Sequence, residues 1–264
     1  RFLLVPGFLL ACRALAVALF LVVVAAGLFG LQSPLKNIAP VMVWAIWWVG
    51  MAYISALLGD LWALVNPLDT LFAWAQALGA RVWPGGKLGV GLRYPDALGA
   101  WPAVVLFLAF VWMELVWEKS DAPAHLAATM LAYSALTWLG MLLFGRAQWL
   151  CRGEVFTLAF GLLARFAPTE VRESACGGRA LYLRPYGVGL LSREPVPAST
   201  VVLVLAMLAA VSLDGFMETP LWASILEYYA PPAPDMAGDG AARTWVQTAG
   251  VAGEIRRPAI YEYK

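Results

Sequence analysis

Charge and histidine are what this sequence has least of. Only 13% of its 264 residues are Asp, Glu, Lys or Arg, against about 25% in an ordinary soluble domain. A soluble chain of this length needs more charge than that to keep its surface from associating. An ordinary soluble globular protein is therefore excluded. The single histidine, His125, excludes bis-histidine haem ligation within the chain and the multi-histidine zinc sites of metallohydrolases. Cys12, Cys151 and Cys176 are widely spaced and form no CxxC pair, so we expect two buried thiols and one in a loop. No Gly-rich phosphate loop, GxSxG elbow or HExxH run is present, and so there is no nucleotide motif. A net charge of +1 gives no electrostatic case for nucleic acid.

What is there is apolar: 62% of the chain. A helix needs about 20 mostly apolar residues to cross a bilayer core, and only helices or closed barrels satisfy their backbone groups in lipid. Five segments pass that length test, at about 9–31, 38–58, 98–117, 124–144 and 198–217. The first is too long for the core of a signal peptide, about 7–15 residues, and reads as a retained span. Asp121 is a candidate N-cap for the fourth span with Pro123 in its first turn, Gly145-Arg146 closes it, and Ser199 or Thr200 is placed to cap the fifth. The expected fold class is all-α: a polytopic transmembrane helix bundle with about five spans plus two short re-entrant or interfacial helices.

Those two extra helices have distinct signatures. Asn66-Pro67-Leu68-Asp69 combines an N-cap, a proline at the first helical position and a carboxylate in the first turn. The spacing predicts a short helix from there to Gly79, with a helix break marked by Asp60, Asn66 and Pro67. Residues 147–166 carry Arg152 and Glu154 and end before Pro168. They predict an amphipathic or half-inserted helix rather than a sixth span, with Glu154 paired to Arg152 or Arg165 in preference to facing a cytoplasmic cavity.

Basic residues orient such bundles, being concentrated on the cytoplasmic side. With five spans, residues 59–97 and 145–197 share the side of the N-terminus. They hold Arg81, Lys87, Arg93, Arg146, Arg152, Arg165, Arg172, Arg179, Arg184 and Arg193; the opposite turns hold Lys36 and Lys119. We therefore expect a cytoplasmic N-terminus in a multi-pass protein of the bacterial inner membrane. The expected organisation is a helical domain over 1–227 and an extracytoplasmic loop or tail over 228–264. The odd number of spans before that Pro-, Gly- and Ala-rich tail leads us to expect further spans in a longer parent chain.

Ionisable groups at membrane depth are functional candidates by default. Glu114 lies inside the third span and Glu118 one turn later, so both carboxylates are expected on one helix face, and His125 follows across a short turn. Asp214 and Glu218 are likewise one turn apart, at the same end of the bundle. Together these five compose a candidate catalytic or ion-binding site, whose cofactor would be a divalent metal on oxygen ligands. The alternative is that each sits solvated at a helix end. Trp44, Trp47, Trp48, Trp62, Trp74 and Trp83 read as interfacial or packing residues, and Ala14/Ala18 and Ala206/Ala210 as small pairs suited to helix contact.

Two runs stand out, Asn37-Ile38-Ala39-Pro40 with Trp44 and Trp47-Trp48-Val49-Gly50, and Leu58-Gly59-Asp60-Leu61-Trp62 through Asn66-Pro67. They resemble a family of polytopic bacterial and archaeal membrane proteins, some of them named fenitrothion hydrolase. Glu114 to Trp117, Gly153 to Phe156, Gly161 to Pro168, Ser212 to Gly215 and Thr219-Pro220 also fit, so the similarity spans about residues 37–222. The resemblance implies organophosphate ester hydrolysis and a longer parent with more spans. Read from residues alone, the usual two-metal route needs several histidines, and His125 stands alone. Two functions stay open. One is a non-enzymatic component, a subunit of a membrane complex or part of a permease, with lipid and other membrane subunits as partners. The other is a membrane-embedded hydrolase working through the carboxylates and His125. Without a nucleophile–base constellation the first is preferred.

Overall fold

The computed structural model describes residues 6–82, 89–173, 179–191 and 195–229. Lys87, Trp83, Cys176, Arg193 and the tail from 230 lie outside them, as do the side chains of Arg172 and Arg179. Among the described residues five helices are long and apolar enough to cross a membrane: Gly7–Phe29, Ile38–Leu57, Asp96–Leu115, Pro123–Phe144 and Ala198–Met217. They coincide with the five segments expected from the sequence, and the fold is an all-α transmembrane bundle. Their outward faces are apolar, with Leu15, Leu21, Leu205, Leu208 and Val211 each more than half exposed. In water such faces would associate; in lipid they are at rest.

The first span is α1 (Pro6–Phe29). The second is one continuous helix in three parts: α2 (Ile38–Pro40), a π-helical stretch (Val41–Val49) and α3 (Gly50–Leu57). The wider π turn lets Trp44, Trp47 and Trp48 all reach inward. Trp44 and Trp48 lie 5.6 and 4.7 Å from the Phe110 ring, and Trp47 lies 4.5 Å from Phe156. These tryptophans are core, not an interfacial belt. Two short helices follow, α4 (Trp62–Val65) and α5 (Pro67–Val82). Gly79 does not stop α5: at a helix end outside the tightly packed core, one glycine costs only about 1 kcal/mol, and three further residues continue it.

The third span is α6 (Trp101–Leu115) and the fourth α7 (Pro123–Phe144). Pro123 takes the first helical position, but the N-cap residue is Ala122, not Asp121. Gly145, at φ 88°, ends α7 in a conformation that favours glycine. Next come α8 (Arg146–Arg152) and α9 (Val155–Leu163). An antiparallel hairpin of β1 (Thr169–Glu173) and β2 (Arg179–Leu183) pairs Thr169 with Leu183 and Glu173 with Arg179. This hairpin was not expected from the sequence. The fifth span is α10 (Ala198–Met217), followed by α11 (Pro220–Tyr229). Ser199 caps no turn of its own helix; its hydroxyl accepts from the Ala100 N–H at the start of α6, at 2.9 Å.

That bond fixes α6 and α10 as parallel neighbours starting at one end. α1 and α7 are antiparallel: a Cβ on Gly27 would lie 2.7 Å from Pro123 O and from the Ala127 Cβ. Ala14 and Ala18 are exposed, so the close approach is made by Gly27; Ala206 and Ala210 do pack inward. The bundle thus has a turn end, carrying residues 30–37, 116–122 and 218–219. At its other, hairpin end lie α4, α5 and the β-hairpin. Its main core joins Trp62, Phe107, Phe110, Phe156, Phe160 and Leu203.

Candidate functional site at two interrupted helices

The second span stops at Leu57, and the chain then turns through Leu58–Leu61. The carbonyls freed there are satisfied by the segment that follows α9: the Thr169 hydroxyl donates to Leu58 O, and Tyr186 donates to Leu57 O at 2.6 Å. Asp60 then caps α4, its carboxylate accepting from the Ala63 N–H at 2.9 Å. Asn66 caps α5, its side-chain oxygen accepting from Leu68 N at 2.9 Å and Asp69 N at 3.2 Å. Asp60, Asn66 and Pro67 thus each have a capping or helix-starting role between α3 and α5. Asp60 is not paired with Arg146, whose guanidinium grips Asp69 instead. Burial pushes the Asp60 carboxyl above the ordinary carboxylate value, the Glu154 charge adds to that, and the Ala63 N–H opposes it.

The second interruption lies between α8 and α9. α8 folds back along α7: the Trp149 indole sits against Gly140 of α7 and Gly153 of its own turn. A Cβ on either glycine would fall 2.2–2.5 Å from that ring. Space for the indole at both positions lets α8 dock flat. The chain reverses at Gly153-Glu154 and α9 returns to the hairpin end, where Ala164 and Ala167 carbonyls accept from Arg184. Residues 146–167 are therefore a re-entrant helical pair whose two ends share one side, in keeping with the half-inserted helix expected there.

Glu154 stands at the tip, and here the sequence expectation fails. It is fully buried and pairs with neither Arg152 nor Arg165. Arg152 bonds Asp96 at 2.9 Å and lies 5.5 Å over the Tyr94 ring; Arg165 is exposed. Glu154 is instead the N-cap of α9. Its oxygens accept from Phe156 N at 3.1 Å, Thr157 N at 2.6 Å, the Thr157 hydroxyl and the Tyr133 hydroxyl. Tyr133 lies halfway along α7, so this carboxylate is at mid-depth. Four hydrogen bonds to a charged group, about 1.5–3 kcal/mol each, are of the same order as the several kcal/mol needed to desolvate it. A polar residue between Gly153 and the apolar run Val155-Phe156 was the available signal, but an i,i+2 cation beside it drew attention to pairing.

The five residues proposed from sequence sit at the turn end. Parallel α6 and α10 bring Glu114 and Glu118 to the same end as Asp214 and Glu218, and His125 opens α7 there. Glu114 is half-buried, and the other four are exposed. Glu118 lies beyond the end of α6, in the turn after Val116, so it shares no helix face with Glu114. The Trp117 N–H, like that of Val116, closes on Trp112 O and ends the helix before Glu118. Asp214 stands in the last turn of α10, and Glu218 is the residue that caps its C-terminal end. The His125 ring meets the Trp117 ring edge-on at 5.8 Å. No group of three or more His, Cys, Asp or Glu among the described residues is placed to hold a metal ion. Cys12 is half-buried and Cys151 exposed, so the expectation of two buried thiols is not met.

Comparison of the chain with protein-family models, with curated proteins and with solved structures gives no match.

Proposed function

We propose that this chain is a non-enzymatic component of the bacterial inner membrane, part of a permease or of a transport complex with other membrane subunits. The observation that carries the reading is the re-entrant pair α8–α9, which brings the Glu154 carboxylate to mid-depth beside a second interrupted element at Asp60. Non-helical backbone at membrane depth is tolerated where it is buried in protein or lines a cavity. Broken helices whose ends meet an ionisable group are the recurrent construction of transport sites, and an intramembrane carboxylate is costly enough to need a purpose. The basic residues Arg81, Arg93, Arg146, Arg152, Arg165 and Arg184 all belong to the hairpin end, while Lys36 and Lys119 lie at the turn end. By the positive-inside rule the hairpin end and the N-terminus face the cytoplasm.

The reading is tested on the purified protein in proteoliposomes with a panel of inorganic ions, amino acids and sugars. Uptake of at least one solute, abolished by Glu154→Gln, is the expected result. A chain that migrates alone in detergent, brings down no membrane partner and moves no solute in the panel overturns it.

A further inference from the structure

We propose that Glu154 is a proton-binding carboxylate at mid-depth of the bundle, exchanging its proton with the hairpin end by way of Asp60 and water held between α3, α4 and α9. The placement comes first. Glu154, Thr157 and Gly161 stand at i, i+3 and i+7 of one stretch of chain and line one face of α9. An Asp60 carboxylate oxygen lies 3.6 Å from the position of a Cβ on Gly161. Asp60 therefore sits against the same face as Glu154, about 10 Å further toward the hairpin end at 1.5 Å rise per residue.

Two buried side-chain atoms on α3 and α4, the helices packed against α9, have no protein partner. Ser55 Oγ and Trp62 Nε1 are buried and make no hydrogen bond, with Ser55 fully buried and Trp62 5% exposed. Ser55 is the buried residue of α3, a helix whose packing neighbour is α9. The Trp62 ring lies 5.8 Å from Phe160, next to Gly161. Unpaired buried polar groups are rare in native proteins, and two of them on the helices that flank the Glu154–Gly161 face are the groups that ordered water would satisfy.

The partners of Glu154 also suit a group that changes its protonation. No cation among the described residues faces it. From α7 it meets Tyr133, and the carboxylate nearest to it on the hairpin side, Asp60, stands against Gly161 and acts on it only through its charge. The guanidinium of Arg152 is taken by Asp96. On α3, Tyr53 is 65% exposed, and on α6 and α10 the carboxylates Glu114 and Asp214 lie at the turn end. Two of the four donors to Glu154 are hydroxyls, which rotate and become acceptors when the carboxylate takes up a proton. An arginine or lysine partner lacks that freedom. The exchange is balanced: a hydronium ion at the hairpin end gives its proton to Asp60 and is left as water, the proton passes through the bound water to a Glu154 oxygen, and it returns by the same route.

The test is infrared difference spectroscopy of the purified protein in phosphatidylcholine–phosphatidylglycerol vesicles as pH is stepped down. A carboxylic-acid carbonyl band is expected, lost in Glu154→Gln, shifted in Tyr133→Phe, and slower to appear after a pH jump in Asp60→Asn. The absence of any band removed by Glu154→Gln overturns the proposal, since a permanently ionised cap gives none. If Glu154→Gln does not reach the membrane, Tyr133→Phe decides, and an unshifted band overturns the assignment. An unchanged rate in Asp60→Asn overturns the route. An intact band without solute flux leaves proton binding standing and overturns only the transport reading.

Discussion

The guanidinium of Arg146, the first residue of α8, closes on the carboxylate of Asp69 in the first turn of α5, with Nη2 at 2.6 Å from Oδ2. The pair is bidentate, and it ties the start of the re-entrant hairpin to the helix that begins at Asn66-Pro67. The hydrogen bond to Asp69 holds the Arg146 pKa above its ordinary value, against the opposing effect of burial. The two interrupted elements are thus joined at the hairpin end as well as at Asp60 and Gly161.

Removing either partner leaves the other without its counter-charge. Asp69 is about nine-tenths buried and Arg146 about two-thirds, so the loss falls below that of a fully buried pair, at about 2–3 kcal/mol. Asp69→Ala and Arg146→Ala are each expected to lower the melting temperature in detergent, and the double variant to cost little more than either one. Additive losses in the double-mutant cycle would show that the contact contributes nothing.

The seating of Trp149 predicts a different kind of non-additivity. Gly140→Ala places a methyl where the indole now lies, and overpacking of this kind costs about 1–3 kcal/mol. Combined with Trp149→Ala, which empties the site, the same substitution is expected to be nearly neutral. Thermal denaturation of the three variants checks it. A Gly140→Ala penalty that persists without the indole would place the clash elsewhere.

The five spans were legible because each is a long apolar run with polar punctuation, and lipid imposes that pattern on sequence directly. The Asn66-Pro67 start was legible for a local reason, since cap and proline act within one turn. Thr219-Pro220 carries the same signal, with the Thr219 hydroxyl accepting from Trp222 N at 3.3 Å, and it begins α11, a helix the sequence reading passed over. Glu154 was misread because its partners are distant. Tyr133 is 21 residues away, and nothing at Gly153-Glu154 announces that α8 will fold back along α7. The π-helical stretch was hidden for a related reason, because Trp44, Trp47 and Trp48 fit ordinary helical spacing nearly as well. Glu114, Glu118, His125, Asp214 and Glu218 lie at the turn end, where the loop lengths between spans set them. The sequence reading missed that α6 stops before Glu118.

The re-entrant path makes a topological prediction. Ala147 and Arg165 flank the pair and are both exposed. In a background lacking Cys12, Cys151 and Cys176, Ala147→Cys and Arg165→Cys are expected to react with a membrane-impermeant maleimide from the same side. Glu118→Cys, at the turn end, is expected to react from the other. Labelling of Ala147→Cys and Arg165→Cys from opposite sides would mean that this segment crosses the bilayer.

Asp60 predicts the pH dependence of stability. Burial, reinforced by the Glu154 charge, raises its pKa above the ordinary carboxylate value despite the Ala63 N–H. The folded chain therefore holds the Asp60 proton at pH values where the unfolded chain has released it. Between the unfolded and the raised folded pKa the native state binds more protons, and stability falls as pH rises. Asp60→Asn keeps an oxygen to accept from Ala63 and cannot ionise, so it removes this contribution. The wild-type melting temperature is expected to decline as pH rises above the ordinary carboxylate value, and the Asp60→Asn variant to decline less, gaining on the wild type as pH rises. Parallel curves across that range would show that Asp60 is ionised at no extra cost in the folded chain, and the carboxylate would then be a helix cap open to water.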